Sequence, residues 1–214
     1  MTSQTPADEL PVPGDVTSLH VHRAISGDVT STSWLVERLN PLLLAQASWR
    51  LGSELRRSCD PEDLVHEAWL VLLPRLPSLP ARDGRMTPVL LSFLSTTILH
   101  KVHNLLRHAA RRRVAPDHRS SDDTTPPEPE GPRSEVIRAV VRRETACRVR
   151  AALDELDARD REIVLLRGIE QQPPEDVAGL VGSTNGAVCK RYQRALAKLR
   201  ARLPDSVFAE LIEQ

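Results

Sequence analysis

Between Gln172 and Ala195 the chain spells a short helix, a glycine turn and a second helix with basic residues along one side. Few folds accommodate that order. Pro173 and Pro174 suit a helix start, and Glu175 and Asp176 sit where the helix dipole favours anions. Val177, Leu180 and Val181 give the first helix an apolar face. Gly182 can take the left-handed conformation that ends it, and Thr184 can cap the next. Val188, Tyr192, Ala195, Leu199 and Leu203 then recur every three or four residues as a stripe to be buried. Lys190, Arg191, Arg194, Lys198, Arg200 and Arg202 fall largely outside it, and no acid intervenes between Asp176 and Asp205. This is the pattern of a DNA-reading helix-turn-helix, although a basic helix can also be only a solvated face.

Composition narrows the fold further. Aromatic residues are few (three Trp, two Phe, one Tyr), so Leu, Val, Ala and Ile must fill the core, which favours helices over a sandwich or barrel. Lys plus Arg and Asp plus Glu both number 29, so the overall field draws in no polyanion. Any nucleic-acid binding must come from local segregation of charge. Segregation is present: His100 to Arg113 is basic and free of acids, Asp122 to Glu135 is mostly acidic, and Lys190 to Arg202 is basic again.

The three cysteines, Cys59, Cys147 and Cys189, have no Cys-x-x-Cys spacing and no His at metal-ligand spacing. That argues for a reducing compartment and against a disulfide frame, a metal site or a cofactor. No Gly-rich phosphate loop or nucleophile motif points to an enzyme. No apolar run approaches membrane-spanning length and no signal peptide opens the chain, which predicts a cytoplasmic protein with no membrane partner.

The expected architecture is all-α: two small helical domains joined by a flexible Pro-rich linker, the second a helix-turn-helix. Residues 1–20 read as a disordered tail, 21–113 as the first domain, 114–133 as the linker and 134–214 as the second domain. In the first domain a helix covers roughly Ser33 to Arg50, with Pro41 a local irregularity. The next starts with Asp60 as cap and Pro61 in the first turn, and buries Leu64, Val65, Ala68, Trp69 and Leu72. After a proline-broken loop, Thr87 and Pro88 begin a long helix with Leu91, Leu94, Ile98, Val102 and Leu105 on its core side.

The order of these parts resembles the small, two-domain extracytoplasmic-function (ECF) sigma factors of bacterial RNA polymerase, within the sigma-70 family. Asp60-Pro-Glu-Asp-Leu-Val-His-Glu-Ala-Trp-Leu is similar to the segment by which region 2 docks on the polymerase clamp. Phe93-Leu94, Ile98 and Arg107 resemble the helix that reads the −10 element. Ala152 to Arg167 resembles the lead-in helix of region 4, and Gly182 to Ala195 its helix-turn-helix, which binds the −35 element.

The resemblance implies a factor that carries core polymerase, through its beta and beta-prime subunits, to promoter DNA and helps open the duplex. It implies polymerase contacts from Asp60, Asp63, His66 and Glu67. For the −10 element it implies Arg82 and Arg85 in a base-capturing loop, with His100, Lys101, Asn104, Arg107, Arg111 and Arg112 along the long helix. For the −35 element it implies Thr184, Asn185, Lys190, Arg191 and Arg194. Cys189 and Gln193 depart from the family's usual residues there. The family is commonly restrained by anti-sigma partners. A rival reading is a helix-turn-helix regulator with an effector-binding N-terminal domain.

Overall fold

The computed structural model describes residues 13–82, 85–114, 133–204, 206, 208 and 211, with backbone alone for 13–15, 53–54, 112–114, 133–139 and 142. Eight α-helices are seen among them: α1 (Pro13–Ile25), α2 (Val29–Leu55), α3 (Pro61–Leu72), α4 (Thr87–Val114), α5 (Arg133–Asp154), α6 (Ala158–Ile163), α7 (Pro174–Leu180) and α8 (Asn185–Arg202). The described residues contain no strand, only an isolated bridge between Arg82 and Arg85. The all-α expectation holds.

Most elements form where local chemistry asks for them. The Asp60 carboxylate accepts from the Glu62 amide at 2.9 Å, Pro61 opens α3, and Leu64, Val65, Ala68, Trp69 and Leu72 are buried. Trp69 lies in the core with its indole N–H satisfied by Asn40 Oδ1 at 2.7 Å. α2 runs from Val29 through the buried Pro41 to Leu55, longer than expected, with a kink at Gly52 (φ 62°). α1 begins inside the stretch expected to be a disordered tail, because Thr17 and Val21 find burial there. The rest of that tail, 1–12, and the linker from 115 to 132 lie outside the described residues.

One helix is longer and more apolar than expected: over Thr87–Arg111, α4 meets the length and composition needed to cross a membrane. Its apolar stripe is spent internally, however. Leu90, Leu91, Leu94, Ile98 and Val102 are buried, and α4 packs on α2 and α3.

The two halves were expected to hold separate cores, yet the buried side chains form one cluster. The joint is the continuation of α6. Val164–Ile169 winds as a π-helix, with Glu170 N–H reaching Leu165 O at 2.8 Å, and all six of its residues are buried. Five of its six residues are apolar or glycine, so the segment must be enclosed; it contacts α2, α4 and α8, and the buried Arg167 donates to Gln172 O at 2.9 Å. Ser95 of α4 donates to Ile169 O at 2.9 Å. Glu170, its side chain 3% exposed, takes an ion pair from Arg50 at 2.7 Å and a hydrogen bond from Gln46 at 3.2 Å.

Candidate polymerase- and DNA-binding surfaces

On α3 the exposed side chains are Glu62, Asp63, His66, Glu67 and Leu70, of which Asp63, His66, Glu67 and Leu70 share one face by their spacing of three and four. Asp60, grouped with them in the sequence, is committed to the α3 cap. Leu70 was missed. At 57% exposure it puts an apolar group among the carboxylates, and the same spacing that found Asp63 and Glu67 would have found it. Cys59 borders this face, where its burial and the nearby Asp63, Glu67 and Asp60 charges push the thiol pKa up.

From His100 onward one side of α4 is open while Val102, Leu105 and Ala109 still pack on the core. His100, His103, Asn104, Leu106, Arg107, His108 and Arg111 are exposed, and the helix contains no acid. His100, His103, Asn104, Leu106 and Arg107 line an open groove of about 670 Å³. His103 and Leu106 were not anticipated there. Lys101 pairs with Glu67 of α3, bringing a residue expected for DNA against one expected for polymerase. Arg107 donates to Asn104 Oδ1. Arg112 lies in α4, its side chain outside the described atoms. Arg82 and Arg85 exchange backbone hydrogen bonds at 3.0 and 2.9 Å; Arg82 is exposed and Arg85 half-buried.

The helix-turn-helix forms as its residues ask. Gly182 takes φ 59°, a region that favours glycine, and Thr184 accepts from the Ala187 amide at 3.3 Å to cap α8. Val188, Tyr192, Ala195, Leu199 and Leu203 are all buried. Leu180 departs: it is 67% exposed, because Val177, Ala178 and Val181 already fill the inner arc of so short a helix. Tyr192 packs so tightly that a Cβ at Gly168 would stand 3.3 Å from its hydroxyl, and burial holds the phenol pKa well above its ordinary value.

The first turn of α6 grips this unit from behind. Asp157 caps α6 through the Arg159 and Asp160 amides at 2.9 and 3.0 Å. Arg159 donates to the carbonyls of Val181 and Gly182, the latter at 3.0 Å, which ties down the turn. Arg191 reaches back to Asp160 at 2.7 Å and Asp157 at 3.7 Å. The outward face of α8 is left to Asn185, Gly186, Lys190, Gln193, Arg194 and Lys198. Cys189 is half-buried, its Sγ 3.5 Å from Asn185 Oδ1. Among the described residues no cluster of three or more His, Cys, Asp or Glu could hold a metal.

Residues 148–199, from late α5 through most of α8, match the family Sigma-70, region 4. Over 184 residues the chain is 31% identical to the ECF RNA polymerase sigma factor SigD of Mycobacterium tuberculosis (strain ATCC 25618 / H37Rv), covering 84% of this chain and 80% of that one. This chain belongs to the ECF sigma factors. It is also 30% identical to the ECF RNA polymerase sigma factor ShbA of Streptomyces griseus subsp. griseus, covering 85% of this chain and 92% of that one. Both alignments extend well beyond region 4, so the family assignment reaches the α1–α4 half as well. The rival reading, an effector-responsive regulator, loses its ground. For this sigma factor, the α6–α8 unit is a region 4 DNA-binding helix-turn-helix.

Proposed function

We propose that this sigma factor docks on core RNA polymerase through the outer face of α3 and grips promoter DNA at two places. The −10 strand would lie along the C-terminal half of α4, and the −35 duplex against α8. The observation that carries this is the sorting of charge in a chain whose acids and bases balance. Carboxylates stand on the exposed face of α3, while α4 and α8 contain none.

Each surface suits its task. Asp63 and Glu67 would guide encounter and register with cations of the beta-prime or beta subunit, and Leu70 would supply an apolar anchor between them. On α4, Arg107, Arg111 and Arg112 would hold phosphates, with Lys101 joining once freed from Glu67. His100 and Asn104 face the groove where an unstacked base can lie flat or hydrogen-bond. Arg82 and Arg85 stand just before α4 and would close over that base. On α8, Lys190 and Arg194 are placed for the major groove, with Asn185 and the exposed end at Thr184 toward the backbone. The factor would act in the cytoplasm, would need no cofactor or catalysis of its own, and would be open to restraint by an anti-sigma protein.

Run-off transcription with purified core polymerase and genomic DNA, with and without this chain, is the direct test. New, chain-dependent start sites are expected, and their absence would sink the proposal.

A further inference from the structure

We infer that Arg191 is a positioning residue: held by Asp160, it sets the angle of the recognition helix α8 and does not itself touch DNA. This rests on the proposal that α8 reads the −35 duplex. It differs from the expectation drawn from the family resemblance, which placed Arg191 among the −35 contacts.

Three cations, Lys190, Arg191 and Arg194, stand near the middle of α8, and the structure does not treat them alike. Lys190 and Arg194 are exposed, and the nearest bond between them is Arg194 Nε to Lys190 O at 3.3 Å. Arg191 instead lies at the edge of the buried stripe, one position before Tyr192 and three after Val188. Its Nη1 donates to Asp160 Oδ1 at 2.7 Å, a charge-assisted bond, and Asp160 is only 14% exposed.

Releasing Arg191 to a phosphate would have a cost at its origin. Asp157 and Asp160 stand together in the first turn of α6, and burial and the Asp157 neighbour already push the Asp160 carboxyl pKa up, with Arg191 pulling against them. Without the guanidinium, two adjacent carboxylates would be left facing the DNA-binding unit. The same turn of α6 fixes both parts of the motif: Arg159 holds the turn carbonyls and Asp160 holds α8. Such a clamp gives a rigid angle to a helix that must insert into a groove, where small misplacements break bidentate contacts.

The test uses the full chain assembled with core polymerase on promoter duplexes found by the run-off assay. Binding is measured against salt at a temperature where melting curves show every variant folded. Arg194→Ala is expected to lower the salt slope by about 1, the signature of a lost phosphate or base cation. Arg191→Ala should weaken binding severalfold at every −35 sequence while the slope stays unchanged. Asp160→Asn should reproduce that loss, the double variant should be no worse than either single one, and Arg191→Lys should restore most of the affinity. A slope lowered by about 1 in Arg191→Ala, with Asp160→Asn binding normally, overturns the inference alone. Wild-type holoenzyme that shows no −35 dependence would instead overturn the reading beneath it. A double-mutant cycle on thermal unfolding, with no DNA present, separates the cases further: coupling between Arg191 and Asp160 is expected, and additive melting shifts refute the clamp.

Discussion

α4 and α8 are both basic, both free of acids and both expected on DNA, yet they are held in different ways. α8 is seated along most of its length by Val188, Tyr192, Ala195, Leu196 and Leu199, and its first half is clamped by α6. α4 is fully buried along its stripe only as far as Val102; beyond it Leu105 and Ala109 pack partly against the core while the cationic side is open. The partners of its cations are light, Asn104 for Arg107 and Glu67 for Lys101. The contrast matches the two ligands. A duplex groove presents fixed donor and acceptor positions, so its reader must hold one orientation. A separating strand is pliable and tolerates side chains that follow its backbone. Substitutions on α8 should therefore mix stability with recognition, whereas those at the end of α4 should separate them.

The most forceful way to break this arrangement is to cut the joint that keeps both helices in one body. Glu170 holds Arg50 and Gln46 across the halves while almost fully buried. Glu170→Ala would leave a cation and an amide facing a void, and losing one partner of a buried pair costs about 3–5 kcal/mol. Glu162 still reaches Arg50 at 3.0 Å, so the lower end of that range is expected. Urea unfolding measures it. A loss under about 1 kcal/mol would mean that the joint is effectively solvated, and the two helices would then have to be compared as separate bodies.

That joint also marks what could not be read from sequence. Caps, breaks and stripes were legible because each depends on residues within a turn or two. Asp60 and Pro61 start α3, Gly182 and Thr184 bracket the turn, and the spacing of Leu91, Leu94, Ile98 and Val102 marks the seated part of α4. Periodicity reports that a face is buried, not what buries it. Gln46 and Glu170 stand 124 positions apart, and no local pattern links them. The ion pair of Arg191 was hidden for the same reason: its partner Asp160 lies 31 residues earlier, so its charge read as free. Leu180 failed because a seven-residue helix has room for little more than one inward arc. The start of α1 was missed because prolines and polar residues mask the short pattern of Thr17 and Val21.

The caps allow a sharper comparison at smaller cost. Asp60→Ala should destabilise by about 1–2 kcal/mol, since a charged cap gains from the dipole as well as from its hydrogen bond. Thr184→Ala, with a longer bond of 3.3 Å, should cost about 0.5–1 kcal/mol. The functional losses should divide by region: weaker polymerase docking for Asp60→Ala, weaker −35 binding for Thr184→Ala. Thr184→Ser keeps the hydroxyl and should restore both stability and binding. If binding stays low in the serine variant, the threonine methyl, and not the cap, is what α8 needs at its start.

The smallest effect tests the loose end of α4. Lys101 and Glu67 pair near the surface, with side chains 32% and 52% exposed. A double-mutant cycle with Lys101→Ala and Glu67→Ala should therefore give a coupling of only about 0.2–1 kcal/mol in folding. At about 1 M salt, where the screening length falls to about 3 Å, it should vanish. The Arg191–Asp160 coupling should survive the same salt better, since Asp160 is largely shielded from solvent. A weak pair suits its place between two surfaces: a polymerase cation that takes Glu67 would free Lys101 for a phosphate at little cost. A Lys101–Glu67 coupling as salt-resistant as the α8 clamp would erase the difference between the two helices, and with it the view that α4 holds its cations loosely for a moving strand.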